Sequence, residues 1–251
     1  MKIDLNCDMG ESFGTWTLGD DESLMPWISS VNIACGFHAG DASVMRKTVE
    51  LATKYNLAIG AHPGFQDLQG FGRRNMNLSE QDIFDICIYQ IGALKSFVEI
   101  SNQKLHHVKP HGAMYNMAAK NQSYAHAIAS AVQSIDSELI LYGLSGSYLI
   151  SEAKKINLKT ASEVFADRTY QNDGTLTPRN SPNALIENED EAIGQVLMMI
   201  EQQKVKSVEG QEIDIVADTV CIHGDGKHAL TFVKLLNKSL SAKKIEIQPI
   251  N

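Results

Sequence analysis

Lys2-Ile3-Asp4-Leu5-Asn6-Cys7-Asp8-Met9-Gly10-Glu11 lies at the start of the sequence, and its alternation decides the fold. Successive residues of a β-strand point to opposite faces. Ile3, Leu5 and Cys7 therefore share one side, while Asp4, Asn6 and Asp8 share the other. Two carboxylates and an amide on one strand face require either solvent or an interior built to receive them. The pattern recurs, which favours the interior. Asn32, Ala34, Gly36 and His38 alternate against Val31, Ile33, Cys35 and Phe37. Ala58, Gly60 and His62 alternate against Leu57, Ile59 and Ala61, and His107, Lys109 and His111 against Val108 and Pro110. Glu163, Phe165 and Asp167 share a face, as do Cys221, His223 and Asp225. A single histidine on an apolar strand is usually structural. Repeated strand endings in Asp, His or Lys point instead to a shared centre.

Working outward, strands are expected near 2–8, 31–37, 57–62, 105–111, 138–143, 159–166 and 219–223. Helical patterns lie between them, at about 41–56, 79–101, 122–134, 146–156, 188–203 and 227–241. Ser79-Glu80-Gln81-Asp82 has the form of a capping box that opens the longest of these. Strand and helix in repeated alternation imply parallel strands with helices outside. In an open, doubly wound sheet both strand faces are covered and strands read as continuous apolar runs. These strands are apolar on one face only, and a barrel can carry polar residues on the face toward its axis. The expectation is a closed parallel (β/α) barrel of seven strands, forming a single domain over 1–251. Segments 64–77 and 168–181 read as loops long enough to cover a site. A small hairpin is expected within 205–214.

The chain is long enough, at 251 residues, to bury a substantial core. Its net charge of -8 and the absence of a Lys/Arg stripe argue against nucleic acid as the main partner. No apolar run reaches the length of a membrane span, and a strand beginning at Lys2 leaves no room for a signal peptide. The scattered Cys7, Cys35, Cys87 and Cys221 suit reduced thiols in a cytoplasmic protein and lack the spacing of a structural zinc site.

In a parallel barrel the C-terminal ends of the strands converge on one face, where catalysis takes place. That places Asp8, His38, His62, His111, Asp167 and His223 around one mouth, with Lys109 slightly deeper. The loops add Glu11, Asp41, Asp67, Arg73, Arg74, Arg168 and Asp225. Asp41 reads equally well as a helix N-cap, and Arg73 and Arg74 as a solvated loop pair. Asp4 should lie deep in the barrel, with Asn6, His107 and Lys109 as available partners. Three chemistries fit the mouth. One is metal-assisted hydrolysis with Asp8, His38 and His62 as ligands, another is general acid–base attack by water, and the third is phosphoryl chemistry with Lys and Arg as the clamp. No Walker A, G-x-G-x-x-G or H-E-x-x-H sequence selects among them. Gly143-Leu144-Ser145-Gly146 is not a nucleophile elbow, and Cys7 and Cys35 fall on the outward side.

Asp4 to Glu11, Asn32 to Asp41, Gly60-Ala61-His62-Pro63-Gly64-Phe65 and Val108-Lys109-Pro110-His111-Gly112-Ala113-Met114-Tyr115 together resemble the LamB/YcsF family. Phe71-Gly72-Arg73-Arg74, Glu163 to Arg168 with Tyr170, and Cys221-Ile222-His223-Gly224-Asp225 extend the resemblance over essentially the whole chain. The resemblance implies a seven-stranded barrel related to glycoside hydrolases and deacetylases. It also implies the A component of a bacterial 5-oxoprolinase, which opens 5-oxoproline to L-glutamate at the expense of ATP together with subunits B and C. A lactam is a resonance-stabilised amide and a poor electrophile; phosphorylating its oxygen would expose the carbon to water, which explains the need for ATP. On this view Asp8, His38, His62, Asp167 and His223 are the expected catalytic groups. Asn6, Glu11, Asn32, Arg73, Arg74, Lys109, His111, Glu163, Arg168 and Asp225 would bind substrate or ATP. Mg²⁺ or another divalent ion is a possible companion, held if present by Asp8, His38 and His62. The rival readings are a metal-dependent deacetylase or amidohydrolase acting on a small amide, and a non-catalytic substrate-binding subunit.

Overall fold

The computed structural model describes residues 1–222 and 229–251. In chain order the elements are β1 (Lys2–Met9), α1 (Asp21–Leu24), a 3-10 turn (Met25–Trp27), β2 (Ser30–Ala34), α2 (Ala42–Lys54), β3 (Ala58–His62), α3 (Glu80–Ile100), β4 (Leu105–Val108), α4 (Gly112–Lys120) and α5 (Gln122–Ile135). They continue with β5 (Ile140–Leu144), α6 (Tyr148–Lys155), β6 (Lys159–Phe165), α7 (Glu189–Gln202), β7 (Lys204–Lys206), β8 (Glu212–Asp214), β9 (Thr219–Ile222), α8 (Ala229–Ala242) and β10 (Glu246–Ile247). Strands β1 to β6 and β9 pair in parallel, and β9 returns to β1 with Asp4 opposite Thr219 and Cys7 opposite Ile222. The ring is therefore a closed seven-stranded barrel, as the one-sided polarity of the strands implies. No described helix is long and apolar enough to cross a membrane.

The two faces of β1 separate as the alternation requires. Ile3, Leu5, Cys7 and Met9 are buried among the apolar residues of the main core, each such burial contributing about 1.5–3 kcal/mol for a full-sized side chain. Asp4, Asn6 and Asp8 face the axis. Asp4 is 1% exposed. Its partners, however, are not those expected from neighbouring strands. Ser29 and Ser30 hydroxyls donate to Oδ1, each at 2.6 Å, and Tyr142 and Thr219 hydroxyls donate to Oδ2 at 3.0 and 2.6 Å. Four hydroxyls meet the requirement that a buried carboxylate be fully hydrogen-bonded.

Helix starts follow local chemistry. Asp41 accepts from the backbone of Ser43 and Val44, and Ser79 with Asp82 forms the capping box. Three features depart from the sequence expectation. Strand β4 ends at Val108 rather than 111, and α4 begins at Gly112; His111 occupies its N-cap position without a capping hydrogen bond, so no capping signal marks the start. Strand β2 ends at Ala34, leaving His38 on the following loop. Short β10 pairs Lys2 with Glu246, adding a parallel strand at the barrel's foot. The expected hairpin is present as β7 and β8.

Candidate active site

Above the Asp4 cluster, side chains from five strands form a polar floor. Asn6 Nδ2 donates to Glu163 Oε1 at 3.0 Å and to Thr219 Oγ1 at 2.7 Å. Asn32 Nδ2 donates to Asn6 Oδ1 at 2.7 Å and Asp8 Oδ1 at 2.8 Å, while Asn32 Oδ1 accepts from His107 Nε2 at 2.8 Å. Lys109 stands at the centre, 2.9 Å from Asp8 Oδ1, 2.8 Å from Glu163 Oε1 and 3.1 Å from Cys221 Sγ. Burial acts to lower the Lys109 pKa, but Asp8, Cys221 and Glu163 outweigh it and hold the ammonium well above its ordinary value. Asp8 is the mirror case. Burial pushes its pKa up, and His62 with Lys109 overcomes this and brings the carboxyl well below the usual range.

His62 and His111 sit over this floor. His62 Nδ1 lies 2.6 Å from the Lys109 carbonyl oxygen and therefore carries the proton it donates. His62 Nε2 faces Asp8 Oδ2 at 3.2 Å and His111 Nδ1 at 2.9 Å. His111 Nε2 is tied to the Phe71 carbonyl oxygen at 2.8 Å. The two rings cross at 86°, and His38 stacks on His111 at 3.8 Å, with 3° between the planes. Both His38 nitrogens are buried without a hydrogen-bond partner. Burial, then the neighbouring histidines, lower His38 well below the ordinary imidazole value, and burial with His62 does the same to His111. Both rings are thus neutral at neutral pH. Glycine makes their placement possible. A Cβ at Gly64 would come within 2.6 Å of His38 Nδ1, and one at Gly72 within 2.7 Å of His38 Cβ and 2.8 Å of His111 Cδ2. Glu11, His38, His62 and His111 each present a ligand atom, all within 4.8 Å of one another, as a metal ion would require.

A cleft of about 950 Å³ opens over Asp8, His62, Lys109 and His111 at the C-terminal ends of the strands. Glu11, Arg73, Arg74, Lys120, Arg168 and Arg179 also line it. The residues predicted for the site fall into distinct groups. Asp8, His38, His62, Lys109 and His111 gather at the centre, and Asn6, Asn32 and Glu163 lie beneath them. Arg73 sits over the Phe71 ring at 4.8 Å. Arg74 is held by Asp67, its Nε donating to Oδ1 at 2.7 Å, while its side chain remains 62% exposed. Arg168, expected to bind substrate or ATP, lines the cleft but is 3% exposed and donates to the carbonyls of Thr177 and Ala184 at 2.6 and 3.2 Å. Burial and nearby Arg179 bring its pKa down to about 10. Asp167 is half-buried and outside the cleft lining. His223 and Asp225 lie outside the described residues.

Two further groups reach the centre without being among the expected site residues. Cys221 is legible in the alternation that puts it on the inward face, and it meets Lys109. Tyr115 comes from α4; its hydroxyl and Glu163 Oε2 are both buried without a regular hydrogen bond, and burial with Glu163 pushes the phenol well above its ordinary value.

Comparison with known proteins gives a consistent result. Residues 3–251 match the LamB/YcsF family. The A component of the 5-oxoprolinase of Tolumonas auensis is 56% identical over 247 residues, 98% of each chain. The crystal structure of the lactam utilization protein from Thermus thermophilus matches with a TM-score of 0.94 at 41% identity, covering 100% of both chains. A family 4 carbohydrate esterase from Streptomyces lividans, 10% identical, shares the fold with a TM-score of 0.52, covering 100% of this chain and 93% of its own.

Proposed function

The chain belongs to the LamB/YcsF family, and on that footing we propose that it is the A component of a 5-oxoprolinase, hydrolysing the lactam of 5-oxoproline to L-glutamate. The observation that carries this reading is the contact of Asp8 with both His62 and Lys109 at the base of a cationic cleft. Ring opening by water needs a proton acceptor beside the attacking oxygen, a donor for the departing nitrogen and positive charge near the developing oxyanion. The Asp8–His62 pair receives the water's proton. Lys109 supplies positive charge beneath the reacting carbon. His111, reached through His62, connects the pair to the cleft.

The rest of the reading follows from the chemistry of an unreactive amide. ATP is the co-substrate, with ADP and phosphate as products, and Mg²⁺ accompanies its phosphates. The cleft is larger than a five-membered lactam needs, which leaves space for a phosphoryl group beside Arg73. Guanidinium forks suit both the substrate carboxylate and phosphate oxygens. Subunits B and C complete the enzyme in the cytoplasm, with residues 1–251 acting as one domain. His38, Asp167, His223 and Asp225 remain assigned to the site as proposals, with Glu11, Arg74 and Arg168 at its rim.

Purified chain, assayed for glutamate release from 5-oxoproline with and without B, C and ATP, tests this. Activity confined to the full complex with ATP supports it. ATP-independent turnover of an acetylated amide by the isolated chain would favour the amidohydrolase reading instead. Lactam hydrolysis that survives replacement of both Asp8 and His62 would leave the chain with a binding role only.

A further inference from the structure

His62 and His111 contain an opposition that either an added proton or a metal ion must resolve. A neutral imidazole has one donor and one acceptor nitrogen. His62 spends its donor on the Lys109 carbonyl, and His111 spends its donor on the Phe71 carbonyl. The remaining nitrogens, His62 Nε2 and His111 Nδ1, are both acceptors and stand 2.9 Å apart. Asp8 Oδ2, also an acceptor, lies 3.2 Å from His62 Nε2. Lone pairs converging in this way call for a positive charge between them.

A similar opposition occurs at His106 and His107, and the contrast is informative. Their Nδ1 atoms lie 3.0 Å apart while their outer nitrogens are held by Ile250 and Asn32. His106 is partly exposed, whereas His62 and His111 are both buried. Around His62 and His111 there is more. Glu11 contributes a carboxylate, and His38 contributes an imidazole that is 0% exposed with neither nitrogen bonded. A buried ring left with two unsatisfied nitrogens is costly unless something else engages it.

We propose that Glu11, His62 and His111 bind one divalent transition ion at the base of the cleft, with His38 as an auxiliary donor. The outer nitrogen of each principal histidine donates to a backbone carbonyl, the arrangement that fixes tautomer and ring plane in metal sites. Planes crossing at 86° let His62 and His111 direct both lone pairs to one point. His38 lies parallel to His111 and cannot share that point in its present plane, which ranks it below the other two. Three imidazoles and a carboxylate suit Zn²⁺ or Co²⁺, whereas Mg²⁺ prefers an oxygen shell. The donor set differs from the Asp8–His38–His62 expectation: Glu11 and His111 bring ligand atoms together with those of His38 and His62, while Asp8 Oδ1 is engaged by Asn32 and Lys109. An ion held there would raise the acidity of a nearby water, and Asp8 Oδ2, 3.2 Å from His62 Nε2, would be the proton acceptor in place of that nitrogen. Its occupancy is measured without ATP, lactam or partner subunits, so its failure leaves the 5-oxoprolinase reading standing.

The test uses full-length chain stripped with a chelator, then equilibrated with Zn²⁺, Co²⁺ or Mg²⁺, with bound metal counted by plasma emission spectrometry. About one Zn²⁺ or Co²⁺ per chain is expected, with visible d–d bands in the Co²⁺ form and no retained Mg²⁺. His62→Gln and His111→Asn should each weaken Zn²⁺ binding by about 100-fold, and His38→Ala by about 10-fold. Glu11→Gln, a change at a partly exposed loop residue, serves if either histidine variant fails to fold; it should weaken binding by about 10-fold. Zn²⁺ and Co²⁺ binding no tighter than Mg²⁺ would mean that a proton lies between the two nitrogens and would overturn the proposal. Wild-type affinity in the folded variants would overturn it as well.

Discussion

Lys109 Nζ lies 2.9 Å from Asp8 Oδ1, and through this contact the floor of the barrel and the reacting end of the site share one charge. Glu163 Oε1, 2.8 Å from the same Nζ, makes Lys109 the common partner of two buried carboxylates. Lys109→Met should therefore be severe. Removing one member of a buried ionic group strands the others, at about 3–5 kcal/mol. Urea unfolding at neutral pH should show a loss of that size. A variant within about 1 kcal/mol of wild type, the worth of a surface ion pair, would place Lys109 outside the group that holds the axis together.

Asp8→Asn keeps the shape of the floor and removes its ionised carboxylate. In the assembled enzyme this change and His62→Ala should each lower kcat by about 10²–10⁴-fold, with KM for 5-oxoproline changed less. Steady-state kinetics with folded variants, checked by circular dichroism, measure the split. Full activity in both would move the proton acceptor to a partner protein of the complex.

Arg168 and Arg73 are expected to behave oppositely. Arg168 fastens the 168–185 loop by donating to two carbonyls while buried. Arg168→Ala should cost about 2–3 kcal/mol, in line with lost hydrogen bonds to a charged group and carbonyls left unsatisfied. Arg73 lines the cleft, and Arg73→Ala should raise KM for 5-oxoproline or ATP at a nearly unchanged thermal midpoint. Thermal melts and kinetics on both variants decide. The reverse pattern would exchange the two roles.

The buried histidines set an acid limit on stability. Burial is the leading cause that lowers His38, His107 and His111 below the ordinary imidazole value. Below about pH 6.5 the unfolded chain takes up protons at these positions that the folded chain refuses. The unfolded state then binds more protons, so stability falls as pH falls. Each such histidine contributes up to about 1.4 kcal/mol per pH unit between the ordinary imidazole pKa and its own. Chelator-treated protein should melt progressively lower from about pH 7.5 to about pH 5.5. A flat midpoint over that range would show that these rings take up protons in the fold as readily as in the unfolded chain.

Much of this is readable from alternation. A residue at every second position of β1, β3, β4 and β6 must face the axis, so Asn6, Asp8, His62, Lys109 and Glu163 can be placed from the sequence. Cys221 obeys the same rule, yet a cysteine with no partner motif carries no chemical signal to mark it as part of a site. What alternation cannot show is the path after a strand ends. His38 reaches the centre from a loop, and Tyr115 from a helix that starts without a side-chain cap. The sequence places Arg168 among the binding groups, and only the folded loop reveals the Thr177 and Ala184 carbonyls to which it donates.

Strand β1 is flanked by chain segments made at very different times. Asp8 meets Asn32 across 24 residues, whereas Asp4 meets Thr219 across 215. The ring therefore stays open on one side until β9 has left the ribosome. Until then the carboxylate of Asp4 lacks the Thr219 hydroxyl, and Asn6 lacks one of its acceptors. Closure is a late, long-range event, of the kind that slows folding and prolongs the life of incomplete forms. Truncation within β9 would leave an unclosed sheet with an ionisable lining exposed, a species poorly able to persist as an independent folded unit.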